Sequence, residues 1–306
     1  MIRRLTPFLA RASGLLLLPL LGGCNIELMN PQGDIGQQEK TLILVALGLM
    51  LAVVIPVIAL TLYFAWRYRA SNTSATYAPK WAHSTAIEIV VWTIPCVIVA
   101  FLAVLIWRTS HTLDPYRPLE SEVAPVRVEV VALNWKWLFI YPDYGVASVN
   151  RLEIPANTPI NFELTSESMM NSFFIPQLGS QVYAMAGMET QLHLIADHPG
   201  IYAGRSSAFS GPGFSDMHFD TVATSPAAFN AWVGEAKQSP LTLDEATYQT
   251  LKKPSIKNPV AIYAGVAPDL FAHVVSQYTP SMTENMASAD KAPLCTTAEP
   301  PVRSSN

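Results

Sequence analysis

Cysteine, basic clusters and charge of either sign are all scarce in this chain, and each scarcity removes a class of function. Only Cys24, Cys96 and Cys295 are present. Cys24 directly follows an N-terminal apolar leader and Cys96 lies inside a long apolar run, so no disulfide framework is available. Charged residues make up 14% of the chain and the formal net charge is −4. That balance says little about partners, but the absence of a basic stripe excludes nucleic-acid binding. No internal repeat is apparent.

What is present begins with a leader. Arg3, Arg4 and Arg11 precede the short apolar run LLLLPLL at 15–21, too short to span a bilayer and shaped like a secretory signal. Leu21, Gly22, Gly23 and Cys24 follow. That order resembles the lipobox of bacterial lipoproteins, which implies cleavage after residue 23 and lipid on Cys24 as the mature N-terminus. An incidental thiol is the alternative. Residues 24–40 then form a short exported segment.

Two uncharged stretches, Thr41 to Trp66 and Ile89 to Trp107, lie within residues 41–108. At about 1.5 Å per residue they cover roughly 39 and 28 Å, enough for a hydrocarbon core of about 30 Å. Pro56 and Pro95 fall inside them, which packed membrane helices tolerate. Trp66, Tyr68, Trp81 and Trp107 sit at span ends as interfacial anchors, while Trp92 fits either anchoring or packing. The intervening loop carries Arg67, Arg69 and Lys80 with no acid before Glu88, so it is expected to be cytoplasmic, with both long ends outside.

Beyond Val123 the pattern changes to alternation. Val126, Val128 and Val130 alternate with Arg127 and Glu129, and Ile160, Phe162 and Leu164 with Asn161 and Glu163. Such half-buried strands, separated by turns such as PANTP at 155–159 and GPG at 211–213, predict a β-sandwich over 124–224. The run NWKWLFIYP places Trp135, Trp137, Phe139 and Tyr141 on one face of a strand at period two. Helical spacing returns over 225–278. Phe229, Trp232, Val233 and Ala236 follow a Ser225–Pro226 start; Thr242 and Glu245 form a capping box before Tyr248 and Leu251; Leu270, Phe271, Val274 and Val275 make a third helix. The tail 279–306, rich in Ser, Thr, Ala and Pro, is expected to be disordered.

Two stretches carry the functional signal: NSFFIP at 171–176 and SSAFSGPGFSDM at 206–217. They resemble subunit II of the haem-copper respiratory oxidases, where the first begins with His and the second supplies Cys, Glu, Cys, His and Met around a two-copper centre, copper A. Here the corresponding positions are Asn171, Ser206, Ala208, Ser210, Phe214 and Met217. Copper favours thiolate, thioether and imidazole, whereas a serine hydroxyl is a hard, protonated oxygen and phenylalanine has no lone pair. Met217 alone survives, and a lone methionine here reads as core packing. His193, His198 and His218 offer no rescue: on strand parity His193 and His218 point outward into solvent, and His198 lies in a turn before Pro199 and Gly200.

The string SESMMNSFFIPQLGSQVYAMAGMETQLHLIA, followed by FSGPGF, is similar to the cytochrome bo-type ubiquinol-oxidising branch of that family. The resemblance covers about residues 24–278. It implies a membrane-anchored all-β protein: a two-helix transmembrane hairpin, then a cupredoxin-like β-sandwich, then a short helical C-terminal region. It further implies a bacterial inner-membrane location with both ends periplasmic and a complex with haem-copper oxidase subunit I and other oxidase subunits. Haems and copper would reside in subunit I and no cofactor in this chain. Ubiquinol would be met through the complex, subunit I would reduce oxygen and pump protons, and cytochrome c would not be a partner. NWKWLFIYP resembles the family's aromatic stretch near copper A, but packing and subunit contact explain it without electron transfer. An acid at the position of Glu88 is linked in the family to proton uptake, although a carboxylate at a membrane edge also fits a solvated helix end. Two rivals remain. A copper-bearing cytochrome c oxidase subunit II needs the missing thiols, and a free-standing ligand-binding lipoprotein leaves the two spans and matched motifs unexplained.

Overall fold

The computed structural model describes residues 26–76, 78 and 81–278. Cys24, Lys80, the leader and the tail 279–306 lie outside the described residues. The chain divides into two compact units, one of residues 1–113 with 176–179 and one of the remainder.

The first unit is built on two long helices, α1 (Asp34–Arg67) and α2 (Thr85–Thr112). Each contains one of the uncharged stretches and extends beyond it at both ends. Asp34 in the first turn of α1 and Arg67 in its last turn complement the helix dipole. Leu44, Ile55, Val91, Val99 and many other large apolar side chains are exposed along both helices. Water does not tolerate such a surface and lipid does, so these helices anchor the chain in a membrane. Within the same unit Gln177 and Leu178 accept hydrogen bonds from Gln32 N and Gly36 N at 2.7 and 3.1 Å. A Cβ on Gly36 would lie 3.2 Å from the Gln177 carbonyl oxygen, so the close approach favours glycine there.

The second unit is a sandwich of two sheets. Its strands are β1 (Val126–Leu133), β2 (Lys136–Tyr141), β3 (Val146–Val149), β4 (Arg151–Pro155), β5 (Ile160–Ser166), β6 (Asn171–Phe174), β7 (Val182–Ala184), β8 (Thr190–Leu194), β9 (Gly200–Ser206), β10 (His218–Thr224) and β11 (Ala261–Tyr263). One sheet has the order β11-β3-β2-β1-β5-β8 and the other β4-β10-β9-β6-β7. β1 pairs in parallel with β5 and β10 with β4; the other pairs are antiparallel. Between the sheets lies an aromatic core. Phe173 stacks on Phe219 at 5.2 Å, and Trp137 meets both edge-on at 5.3 and 5.7 Å. Gly204 sits opposite Phe219 in the β9–β10 register, and a Cβ there would lie 2.1 Å from the Phe219 ring.

The alternation predicts a half-buried β1, and that holds only as far as its start. From Val128 onward both faces of β1 are covered. The reason is the C-terminal region. Helices α3 (Pro226–Ala236), α4 (Glu245–Leu251) and α5 (Leu270–Ser276) follow the sandwich. Tyr248, Leu251, Phe271 and Val274 of α4 and α5 form a second core with Val131, Leu133, Leu138 and Ile140 on the outer face of the first sheet. The region is not purely helical, because β11 adds a strand beside β3.

Two local expectations change. Trp135 is not on the strand: Leu133 pairs with Lys136, leaving Asn134 and Trp135 as a two-residue hairpin turn with Trp135 at φ +63°. Tight hairpins demand positive φ, and this turn accepts the strain even at tryptophan. Trp137, Phe139 and Tyr141 do share the inward face. The cap of α4 is Asp244, which accepts from Thr247 N at 2.8 Å, rather than Thr242. Leu243 is held extended against Gly265 and Val266, so the helix cannot begin earlier. Ser225 caps α3 as expected, with Pro226 at its first position.

Candidate functional site

Four of the six positions singled out by the resemblance, Asn171, Ser206, Ser210 and Met217, lie together at one end of the sandwich. Asn171 opens β6, Ser206 ends β9, and the loop 207–217 folds back so that Met217 O accepts from Ser206 N at 3.2 Å. Ser206 Oγ donates within 3.2 Å of Asn171 Oδ1 and of Ala208 O. Ser210 Oγ lies 3.9 Å from Met217 Sδ, and both residues are buried. Phe214 turns its ring towards Phe209 at 5.5 Å. Trp135 closes the loop from the neighbouring hairpin: its indole N–H donates to Ser210 O at 2.8 Å, and its ring lies where a Cβ on Gly213 would be, 2.5 Å away.

The loop geometry thus brings Asn171, Ser206, Ser210 and Met217 together, but this donor set does not fit copper A. The Ser206 hydroxyl bonds to Asn171 Oδ1 and Ala208 O, and the Ser210 hydroxyl lies against Met217 Sδ, so neither position supplies a thiolate. Among the described residues no group of three His, Cys, Asp or Glu side chains could hold a metal ion. His218 is exposed as expected, and His198 lies exposed in a bend before β9. His193 is not: it is only 8% exposed, with Pro115 against it, its Nδ1 3.0 Å and its backbone N 3.2 Å from Pro115 O. Parity set its direction correctly, while a distant loop supplied the cover.

Two buried charges beside this site had no signal in the sequence, where both look like ordinary solvated residues. Glu167, 5% exposed, accepts from the Tyr248 hydroxyl and pairs with Lys252 Nζ at 3.2 Å; the Tyr278 hydroxyl donates to its carbonyl. Burial, then the neighbouring Glu167 carboxylate, pushes the Tyr248 hydroxyl far above its ordinary range, which keeps it a donor. Lys136, 1% exposed, donates to Leu251 O, Lys253 O and Ser255 Oγ at 2.7, 2.9 and 2.6 Å. It caps the C-terminal end of α4, and burial lowers its pKa. These contacts fasten the C-terminal region to the hairpin and loop that frame the site. In the first unit, Glu88 lies in the first turn of α2 with Oε1 2.5 Å from His83 Nδ1.

Two membrane helices followed by a cupredoxin-like sandwich and short C-terminal helices define the subunit II class of haem-copper oxidases. The family model for the cytochrome c oxidase subunit II periplasmic domain matches residues 145–223, and the COX aromatic-rich motif matches 237–282. The chain is 55% identical over 259 residues to cytochrome bo(3) ubiquinol oxidase subunit 2 of Pseudomonas aeruginosa, covering 85% of this chain and 78% of that one. It is 54% identical over 284 residues to ubiquinol oxidase subunit 2 of Acetobacter aceti, covering 92% of each. A quinol oxidase subunit 2 of Bacillus cereus is 37% identical over 251 residues, covering 81% of this chain and 86% of that one. The chain belongs to the ubiquinol oxidase subunit 2 family. Its aromatic-rich motif is the C-terminal region, with Tyr248, Tyr263, Phe271 and Tyr278, a feature the helical periodicity of that stretch did not disclose.

Proposed function

We propose that this chain is the non-catalytic subunit II of a proton-translocating ubiquinol oxidase, without a redox centre of its own. The observation that carries this reading is the pair Ser206 and Ser210: where the wider family bridges two coppers with thiolates, these hydroxyls are spent on hydrogen bonds inside the loop and on packing against Met217. Quinol delivers electrons from within the bilayer, so a water-exposed relay from cytochrome c is unnecessary. Subunit I carries the haems and the oxygen-reducing copper, oxidises ubiquinol and pumps protons, while this chain supports assembly and shapes the outer face. The sandwich and C-terminal region are periplasmic, in keeping with the basic loop between the spans. Lipid on Cys24 adds a second anchor of about 0.8 kcal/mol per buried methylene. Glu88 serves proton uptake into subunit I, in keeping with its place at the start of a span.

Detergent extraction tests the core of the proposal. The chain is expected to co-purify with a haem-bearing subunit that oxidises ubiquinol and not reduced cytochrome c. Recovery of this chain alone, or stoichiometric binding of two copper ions by the unmodified chain, would overturn it. Glu88→Gln is expected to slow turnover with haem content unchanged, and an intact mass showing unmodified Cys24 would remove the lipid anchor.

A further inference from the structure

Where α5 lies over the first sheet, a cavity of about 510 Å³ remains between the helix and strands β1 and β2. Its walls are apolar: Ile140 on β2, and Leu270 and Phe271 on α5. Its charges come from Arg127 and Glu129 on β1, Glu189 ahead of β8 and Asp269 ahead of α5. Arg127 and Glu129 share with Val131 and Leu133 the outer face of β1, because side chains alternate along a strand. Ile140 stands directly opposite Glu129 in the β1–β2 register.

Glu129 is the group this arrangement leaves incomplete. The residue is only 9% exposed. Its Oε1 accepts from Arg127 Nη2 at 2.9 Å, while among the described residues no donor reaches Oε2. Arg127 is shared, since Nη2 also lies 2.7 Å from Glu163 on β5. Asp143, in the β2–β3 turn, and Glu189 add negative charge around Glu129. Tyr141 at the cavity edge keeps its hydroxyl on the Glu153 carbonyl, at 2.9 Å. One guanidinium is therefore set among the carboxylates of Glu129, Glu163, Glu189, Asp143 and Asp269. Covering an acid without satisfying both oxygens costs stability, so packing alone gives no reason for it.

We infer that this cavity is a binding site for a small organic cation, whose ammonium group donates to Glu129 Oε2 and whose apolar body lies against Ile140, Leu270 and Phe271. Small-molecule sites combine apolar walls with a few placed polar groups in volumes of this order. An ammonium supplies the donor that Oε2 lacks and offsets the excess of acids, whereas an anion would meet them. A metal ion fits less well, because Arg127 already holds Oε1 and no three His, Cys, Asp or Glu side chains converge among the described residues. Burial, opposed by Arg127 and reinforced by Glu163, Glu189 and Asp143, raises the Glu129 carboxyl to about 7. The ammonium takes the ionised form, so below that pH binding sends the Glu129 proton to solvent.

The test is calorimetric titration of the whole detergent-solubilised oxidase complex with phenethylamine, an aromatic ring carrying one ammonium. Phenylacetate and calcium are titrated beside it. One saturable site per complex is expected, at roughly 0.1 mM. Its affinity should rise about tenfold per pH unit from pH 5 to 6.5 and level off above about 7.5, with proton release seen as a dependence of the heat on the buffer. Glu129→Gln should weaken binding about ten- to hundredfold and abolish its pH dependence, with haem content unchanged. Ala272→Trp, which fills the cavity from its exposed edge, should also weaken binding at least tenfold while the site keeps its pH dependence. No saturable binding, binding that Glu129→Gln leaves intact, or phenylacetate binding as well as phenethylamine would each overturn the inference. So would calcium binding that Glu129→Gln removes, which would make the site one for a metal.

Discussion

Glu129→Gln is expected to stabilise the sandwich above neutral pH and to flatten its stability profile. Glu129 lies in β1 with its carboxylate 2.9 Å from Arg127 Nη2, and Glu163 stands opposite it on β5. It borders a cavity of about 510 Å³ with Glu189 and Phe271. Burial is the main reason its carboxyl is raised from 4.5 to about 7; Arg127 opposes the rise, and Glu163, Glu189 and Asp143 add to it. A shift of that size separates the two protonation states by about 3 kcal/mol. Because the folded pKa is raised, the folded chain holds the proton more tightly than the unfolded one. This stabilising contribution is complete below about pH 4.5 and is lost as pH rises through about 7. Glutamine resembles the protonated acid in shape and charge at every pH, and Arg127 keeps Glu163 at 2.7 Å. The variant should therefore gain about 2–3 kcal/mol at pH 8 and little at pH 4. Guanidinium unfolding of the detergent-solubilised chain, followed by tryptophan fluorescence at each pH, measures this. Parallel profiles for the two proteins, or a net loss for the variant at pH 8, would refute the reasoning.

Three further outcomes are open to measurement. Lys136→Met leaves two carbonyls and a hydroxyl at the end of α4 without their donor and should cost about 2–4 kcal/mol, with faster proteolysis of the C-terminal region. Gly204→Ala drives a methyl into the Phe219 ring and should cost about 1–3 kcal/mol, read as a lower denaturation midpoint. Asn171→His, Ser206→Cys, Ala208→Glu, Ser210→Cys and Phe214→His introduced together, with Met217 kept, should bind copper with intense visible absorption, because the loops already bring positions 171, 206, 210 and 217 together. Ser206→Cys alone should bind nothing tightly, and a colourless, copper-free fivefold variant would show that the loop geometry has diverged as well as the ligands.

Side-chain chemistry and local period were enough to read several features directly. The lack of thiolate and imidazole donors at Ser206, Ser210 and Phe214 is one, because hardness and lone pairs belong to the residue itself: no fold makes Ser206 a thiolate or gives Phe214 a donor atom. The membrane helices are another, since continuous apolar composition over such lengths has few alternatives, and the strand faces of Trp137, Phe139 and Tyr141 follow from period two. What local pattern could not carry was contact between distant segments. Lys136 and Leu251 are 115 positions apart, and Glu167 and Tyr248 are 81 apart, so each looks solvated until the chain returns to cover it. The same return buries the outer face of β1, adds β11 to the sheet and holds Leu243 extended so that Asp244 caps α4. His193 takes the face its parity requires, yet Pro115 lies against it. Alternation along a strand tells which face a side chain takes; whether that face meets water depends on what the rest of the chain lays across it.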